Sequence, residues 1–283
     1  MIKVLKTGLY STIQDQGRFG YLSYGVSFSG AMDAYSSQFA NALVGNAKDA
    51  AVIEMTMTGA ELLFLKATTI AITGADMSPK LNGKPINMFK SIMVNANDTL
   101  TFGRLINGFR TYLAIKGGVL SEKVLGSRSM MKGVTDDFRI NKGDYLEMSN
   151  VSSESIQKNA KLKFDPSYLD EGTLEVFKGP EFNKLAKKQQ KLLFNQILQV
   201  SKYNNRMAYQ LQPLIQNDLE SILTSLVLPG TVQLTPLGQL IVLMRDCQTT
   251  GGYPRVLQLT KKSINILSQK ATGAQLKLRL CDY

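Results

Sequence analysis

Short runs of β-type sequence follow one another along most of the chain. In these runs apolar residues alternate with polar ones or form brief continuous stretches, and turn residues separate them. The pattern predicts strands over residues 2–5, 61–65, 69–73, 92–94, 99–102, 111–115, 144–148, 174–177, 231–235, 241–244, 255–259 and 275–280. Asn82 and Gly83 predict a tight hairpin, because both residue types adopt the left-handed backbone that such a turn requires. We therefore expect a mainly β chain, barrel-like or sandwich-like, with a few helices.

The clearest helical pattern follows the first long loop. Met32, Tyr35, Phe39 and Leu43 lie three or four residues apart, so that they form one apolar face. Gly45 follows directly, and glycine commonly ends a helix. The spacing predicts a helix that buries this face.

Two further helices are predicted in the second half of the chain. One spans residues 182–193, with Phe182, Leu185 and Leu192 facing inward and the lysines facing solvent. The other spans residues 261–269 and follows a threonine that can cap it.

The length and one polar segment predict two domains. The chain has 283 residues, and domains average roughly 150 residues. Residues 149–163 are rich in serine, asparagine and lysine and have no apolar period, which is typical of a linker. We place the domains at residues 1–155 and 156–283.

The chain is basic, but its charge is scattered. It has 33 Lys and Arg against 22 Asp and Glu, which gives a net charge of +11. The densest cluster is Lys184, Lys187, Lys188 and Lys191, and no aromatic residues are interleaved with it as base stacking would require. A solvated helix face is the preferred interpretation, and no nucleic-acid partner is expected.

The absence of histidine narrows the possible chemistry. With no His and only two Cys, the chain has no Ser-His-Asp or Cys-His triad and no zinc site of its own. Catalysis would depend on carboxylates, Lys, Tyr, hydroxyls, amides or backbone N–H groups. We also expect no signal peptide, no membrane span and no disulfide framework, and hence a cytoplasmic protein.

A glycine-punctuated segment near the N-terminus is the first candidate site. Gln14, Asp15 and Arg18 precede a second short segment that ends in Asp33 at a helix start. Backbone N–H groups and Arg18 can bind an anion there, while the two aspartates supply carboxylates. The alternative is that these side chains only hydrogen-bond their own loop.

The second candidate site follows an apolar strand near residue 244. It carries Asp246, Gln248, Thr249, Thr250, Gly251, Gly252 and Tyr253 in close succession. A tight turn explains the glycines but not the density of polar side chains. Cys247 lies within this segment, and we expect a small buried thiol, since no histidine is present to activate it.

A third group comprises Arg206, Glu220 and Gln233. Arg206 has the geometry to bind a carboxylate or phosphate with two hydrogen bonds. Glu220 is either a carboxylate base or the ion-pair partner of Arg206, and the ion pair is the preferred interpretation.

Eight short segments together resemble one protein family. They are residues 12–20 (TIQDQGRFG), 29–33 (SGAMD), 41–46 (NALVGN), 53–56 (IEMT), 72–76 (ITGAD), 110–118 (RTYLAIKGG), 125–129 (LGSRS) and 246–254 (DCQTTGGYP). In this order they resemble the 5-oxoprolinase C-subunit family, also called the KipA or biotin-dependent carboxyltransferase family. The match covers nearly the whole chain.

The resemblance implies two linked cyclophilin-like β-barrels, as in the carboxyltransferase region of urea amidolyases. It implies two partners, a KipI-like B subunit and a lactam-utilisation A subunit, in an ATP-dependent enzyme that opens 5-oxoproline to glutamate. ATP, with Mg²⁺, would then be a substrate. Biotin is not expected, because no Met-Lys-Met hairpin is present, and Lys132 is interpreted as an ordinary exposed lysine.

The resemblance adds Glu54 and Asp76 to the expected site. The expected catalytic residues are Asp15, Arg18, Asp33, Asp246 and Gln248. The expected substrate-binding residues are Gln14, Glu54, Asp76, Arg206, Glu220, Gln233, Thr249, Thr250, Gly251, Gly252 and Tyr253. Two alternatives stay open: a KipA-type protein that binds a KipI-like inhibitor of a histidine kinase, and the carboxyltransferase component of a biotin-dependent carboxylase.

Overall fold

The computed structural model describes residues 1–149 and 163–281. These residues divide into two compact units, one formed by Met1–Arg18 and Ser29–Asp170, the other by Phe19–Phe28 and Glu171–Tyr283. The predicted boundary between residues 155 and 156 lies outside the described residues, as does most of the predicted linker. Both stay predictions.

The first unit contains eleven strands and one α-helix among its described residues. The strands are β1 (Ile2–Lys6), β2 (Tyr10–Gln14), β3 (Val52–Thr56), β4 (Glu61–Phe64), β5 (Thr68–Asp76), β6 (Lys80–Leu81), β7 (Lys84–Pro85), β8 (Ser91–Val94), β9 (Thr99–Thr101), β10 (Asn107–Ile115) and β11 (Tyr145–Leu146), and the helix is α1 (Ala34–Val44). They form a six-stranded sheet in the order β11-β1-β4-β9-β6-β7 and a five-stranded sheet in the order β2-β3-β10-β5-β8. Apolar side chains from both sheets share one buried core.

The second unit is built on a closed barrel. Its strands are β12 (Thr173–Lys178), β13 (Leu198–Asn204), β14 (Ala208–Gln212), β15 (Ser225–Leu226), β16 (Thr231–Leu234), β17 (Leu240–Leu243), β18 (Thr250–Gly251), β19 (Arg255–Leu259) and β20 (Gln275–Leu280), and its helices are α2 (Lys187–Asn195) and α3 (Lys261–Ser268). Seven strands close in the order β12-β19-β16-β17-β14-β13-β20, while β15 pairs with β18 beside them. The predicted mainly β architecture is confirmed.

Each predicted strand run contains a strand, and the predicted hairpin is present. Asn82 and Gly83 have φ values of 50° and 78°, the left-handed conformation expected between β6 and β7. The pattern missed β2 and β3, because Thr12, Gln14 and Glu54 interrupt their apolar sequence yet lie buried. Strands β13, β14, β15 and β18 were also not predicted.

Helix α1 has the predicted place but not the predicted buried face. Gly45 ends it in the left-handed conformation, with φ of 74°. Its buried residues include Ser36, Ala40 and Asn41, whereas Tyr35 is 37% exposed. Small side chains face inward because α1 packs directly on β5 and β10.

The other two helices differ in how well the pattern predicted them. Phe182 opens a separate single turn, and α2 begins only at Lys187, so that Leu193 is buried and Leu192 is 41% exposed. The inward position predicted for Leu192 was wrong because extended backbone between the two segments shifts the helical phase. Helix α3 is confirmed, and the Thr260 side chain caps it by accepting a hydrogen bond from the Ser263 N–H.

Candidate functional site

In the first unit, the Asp15 carboxylate fastens two loops together. Its Oδ1 accepts hydrogen bonds from the Gly17 N–H at 2.7 Å and from the hydroxyls of Ser127 and Ser129 at 2.6 Å each. Its Oδ2 accepts from the Arg128 N–H at 2.6 Å. The carboxylate is therefore surrounded by donors of its own chain.

Arg18 and Gln14 bind the same neighbouring loop. Arg18 is 1% exposed, and its Nη2 donates to the Ser129 carbonyl at 2.6 Å. The Gln14 side chain, also buried, donates to the Met130 carbonyl at 3.0 Å. These contacts are those of the structural alternative, in which the polar side chains of the segment stabilise its own backbone.

A buried polar layer lies on the face of the five-stranded sheet that α1 covers. Glu54 and Arg110 are 1% and 2% exposed, with Glu54 Oε1 and Arg110 Nε 3.8 Å apart. Glu54 Oε2 accepts from the Met32 N–H at 2.8 Å, and the Tyr112 hydroxyl accepts from the Asp33 N–H at 2.8 Å. Two predicted site residues, Asp33 and Glu54, are thereby brought together.

Asp33 also caps α1 and receives a tyrosine from a distant part of the chain. Its Oδ1 accepts from the Ser36 N–H at 3.1 Å, and its Oδ2 accepts from the Tyr168 hydroxyl at 2.5 Å. Burial, followed by the nearby Asp33 charge, raises the pKa of Tyr168 well above its ordinary value. Tyr168 therefore stays protonated and acts as a donor.

Three residues of this layer were not predicted as site residues: Arg110, Tyr112 and Tyr168. Arg110 and Tyr112 lie in a segment quoted for the family resemblance, and a charged residue inside an apolar strand was the available signal. Asp76 is placed at the end of β5, where its carboxylate accepts from the Ser78 N–H at 2.8 Å. This contact forms a local turn.

In the second unit, Arg206 and Asp246 form a two-point ion pair. Arg206 Nε lies 2.8 Å from Asp246 Oδ2, and Nη2 lies 2.9 Å from Oδ1. The Asp246 N–H also donates to the Arg206 carbonyl at 2.9 Å. The expectation that Glu220 pairs with Arg206 was wrong: β14 and β17 are neighbours, so the turn before β14 meets the residues that follow β17. Glu220 is exposed and lines the cleft that is described below.

Cys247 is buried, as expected. It is 2% exposed and packs with Val227 and Leu243. Burial, followed by the neighbouring Asp246 charge, raises the pKa of the Cys247 thiol to about 12. The thiol is therefore protonated at neutral pH and is not a nucleophile.

The residues after Cys247 differ in exposure, and the predicted substrate-binding Thr249 is buried. Gln248 and Thr250 are exposed, and Tyr253 is 40% exposed. Gln233 is buried beneath them and donates to the Tyr253 carbonyl at 3.4 Å. A side chain at Gly251 would place its Cβ 2.5 Å from Gln233 Nε2. A side chain at position 251 would therefore require the Gln233 amide to move.

An open cleft of about 520 Å³ lies beside this loop. Its lining includes Glu220, Ser221, Ser225, Lys184 and Pro254. A backbone hydrogen bond joins the cleft to the loop, because the Ile222 N–H donates to the Gly252 carbonyl at 2.9 Å. Glu220 therefore lies on the same surface of the second unit as the polar loop.

One wall of the cleft is held by a second ion pair. Arg255 Nη2 lies 3.0 Å from Glu181 Oε1, and this hydrogen bond is the main cause that lowers the pKa of Glu181. Arg255 Nη1 also donates to the Leu226 carbonyl at 3.1 Å. The cleft thus has one fixed wall, and hydroxyl, carboxylate and ammonium groups line it.

Comparison with known proteins defines the class. The family model of the carboxyltransferase domain, subdomains A and B, matches residues 24–280, and the chain belongs to this family. It is similar to the C subunit of 5-oxoprolinase from Escherichia coli (strain K12), with 31% identity over 288 residues that cover 100% of this chain and 92% of that protein.

Two solved structures have the same fold. The crystal structure of TTHA0988 matches with a TM-score of 0.89 and 26% identity, over 98% of this chain and 55% of that one. The crystal structure of the K. lactis urea amidolyase matches with a TM-score of 0.86 and 27% identity, over 98% of this chain and 18% of that one. This chain therefore spans about half of the first solved chain and less than a fifth of the second. None of its described helices has the length and apolar character needed to cross a bilayer.

Proposed function

We propose that this chain is the C subunit of an ATP-dependent 5-oxoprolinase, which opens 5-oxo-L-proline to L-glutamate together with the A and B subunits. The observation that carries the proposal is the similarity to the Escherichia coli C subunit, which extends over 92% of that protein. The urea amidolyase contains the same fold as 18% of a much longer chain. The relation to the 5-oxoprolinase protein is therefore the more complete one.

The reaction requires activation of a stable amide. Transfer of the γ-phosphoryl group of ATP to the lactam oxygen makes the ring carbon reactive. Water then adds to that carbon, the ring C–N bond breaks, and the nitrogen takes up a proton to give an acyl phosphate. A second water releases phosphate, so that the products are L-glutamate, ADP and phosphate. Negative charge develops on oxygen atoms, which positioned N–H and O–H groups stabilise.

The polar loop and the cleft of the second unit supply such groups. Gln248 and Thr250 are exposed donors, and Glu220 is an exposed carboxylate that can accept a proton from water. Arg206 and Asp246 satisfy each other, so we assign them the role of holding the loop. Asp15 and Arg18 are assigned a corresponding positioning role in the first unit. Mg²⁺ would enter with ATP.

The relation to urea amidolyase favours one second candidate, a carboxyltransferase that accepts a carboxyl group from biotin on another domain. Lys132 is exposed, but it is followed by Gly133 where a biotinylated hairpin has methionine. This chain would then supply the transfer site and a partner the biotin.

Substrate dependence of ATP hydrolysis separates the two candidates. The purified chain is mixed with the A and B subunits, and ADP release is measured with 5-oxo-L-proline and with urea, with and without avidin. We expect 5-oxo-L-proline to stimulate ADP release roughly tenfold or more, while urea and avidin have no effect. Stimulation by urea, or inhibition by avidin, would favour the carboxyltransferase.

A further inference from the structure

Helix α2 has a basic face that is exposed to solvent. Lys187, Lys188 and Lys191 are exposed, and none of them makes an ion pair within the described part of the chain. The first turn contains no acidic residue, although the N-terminus of a helix already carries positive partial charge. Lysines at this end are electrostatically unfavourable for the free chain, and a negatively charged surface would relieve the repulsion.

Exposed leucines lie next to the basic helix. Leu223 is 93% exposed and Leu226 is 66% exposed. The Gln189 side chain in α2 donates to the Gln216 carbonyl at 2.9 Å, which joins the helix to the segment that leads to these leucines. Lys184 and Leu223 also line the same cleft, together with the carboxylates of Asp218 and Glu220. The lysines and leucines thus adjoin on one surface of the second unit, where four exposed lysines outnumber the two carboxylates.

This surface borders the polar loop. Strand β15 pairs with β18, and Leu226 lies opposite Thr250 in that pairing. A protein seated on the leucines would therefore lie beside Gln248 and Thr250 as well. Exposed apolar side chains with a polar or charged rim are typical of protein interfaces, because a partner that covers them removes apolar surface from water.

We infer that the surface formed by Lys184, Lys187, Lys188, Lys191, Leu223 and Leu226 docks an acidic surface of the B subunit, with an apolar pocket that receives the leucines. The inference rests on the proposed function, which supplies the partner. A second copy of this chain is a poorer occupant, because the lysines of this surface outnumber its carboxylates and a two-fold interface would bring this excess of positive charge together on a chain of net charge +11. Carboxylates on the B subunit would instead attract these lysines.

Charge reversal and a leucine substitution test the surface. The first variant is Lys187→Glu with Lys188→Glu and Lys191→Glu, and its matched control reverses three exposed lysines of the first unit, Lys80, Lys84 and Lys90. The second variant is Leu223→Asp, with Leu237→Asp as control, since Leu237 is 84% exposed. Affinity for the purified B subunit is measured by titration calorimetry at low and high salt.

We expect the charge-reversal variant to bind the B subunit at least roughly tenfold more weakly and to lose most of its salt dependence. Leu223→Asp should weaken binding by a similar factor at both salt concentrations, and both controls should bind like the wild type. Wild-type affinity in both test variants would overturn the surface while the proposed function stands. Failure of the wild-type chain to bind the B subunit would overturn both, and a wild-type homodimer that these variants dissociate would assign the surface to a second copy instead.

Discussion

Individual side chains in the second unit divide into those that hold the polar loop and those that the loop presents. Arg206 and Asp246 belong to the first group, since their side chains are 6% and 14% exposed and satisfy each other. Gln248 and Thr250 belong to the second, because both are exposed. The two groups should respond differently to substitution.

Asp246→Ala should destabilise the protein. It leaves the Arg206 guanidinium buried without its carboxylate, and removal of one partner of a buried pair costs about 3 kcal/mol. The free energy of unfolding in urea measures the loss. Glu61→Ala is the control, because it breaks a partly exposed pair with Lys6 and should cost less than about 1 kcal/mol. Equal losses in the two variants would show that the Arg206–Asp246 pair does not hold the loop.

Gln248→Ala should lower activity without lowering stability. If its amide stabilises developing charge, kcat/KM of the assembled enzyme falls at least tenfold, or about 1.4 kcal/mol of transition-state stabilisation. The urea midpoint should stay unchanged, because the side chain is exposed. Gln38→Ala, an exposed glutamine of α1, is the control. Unchanged turnover in Gln248→Ala would show that the loop is only a structural turn.

The two cysteines should differ sharply in reactivity. Burial raises the pKa of Cys247 to about 12, whereas Cys281 is partly exposed. At pH 8, iodoacetamide should label Cys281 in the native protein and Cys247 only after unfolding, which mass spectrometry resolves. Because the native pKa is raised, the stabilisation from the protonated Cys247 thiol is present below the unfolded-state pKa and is lost as the pH rises above it. Rapid native labelling of Cys247 would contradict this.

At the scale of elements, the short pair β15–β18 fixes the loop against the cleft wall. Gly251 lies in β18 directly beside the buried Gln233, and Gly252 follows it with more space. The two glycines are neighbours in sequence but differ in what surrounds them.

Gly251→Ala should destabilise the protein by about 1–3 kcal/mol, since its Cβ would lie 2.5 Å from Gln233 Nε2 and one of the two must move. Gly252→Ala should change stability by less than about 0.5 kcal/mol, because its nearest neighbour, the Ile222 carbonyl oxygen, would be 3.5 Å away. Thermal unfolding of both variants checks the difference. Equal melting temperatures would mean that Gln233 reorients freely.

The elements that the sequence predicted are those with regular local patterns. Helix α3, with its threonine cap, and the Asn82-Gly83 hairpin depend on neighbouring residues only. Strand β3 escaped prediction because Glu54, a charged residue in its centre, is buried beneath α1 by tertiary structure. The buried face of α1 was missed for a similar reason: close packing on the sheet selects small residues over large apolar ones.

For the whole molecule, contacts between distant segments set the limit of prediction. Asp33 was a predicted site residue, but its hydrogen bond to Tyr168 joins residues 135 positions apart. The choice of Asp246 over Glu220 as partner of Arg206 likewise depends on the pairing of β14 with β17. Residue types near one another in sequence indicated polar loops, and only the fold decides which of their side chains face inward.

Whether this chain completes a three-subunit 5-oxoprolinase is tested most directly by L-glutamate formation. The product is measured from 5-oxo-L-proline and ATP in the presence of the A and B subunits, with and without this chain. We predict one glutamate for each ADP with all three subunits present, and background rates when this chain is left out. Full ATP-dependent glutamate formation without this chain, or none with it under conditions in which a reference complex works, would contradict the proposed function.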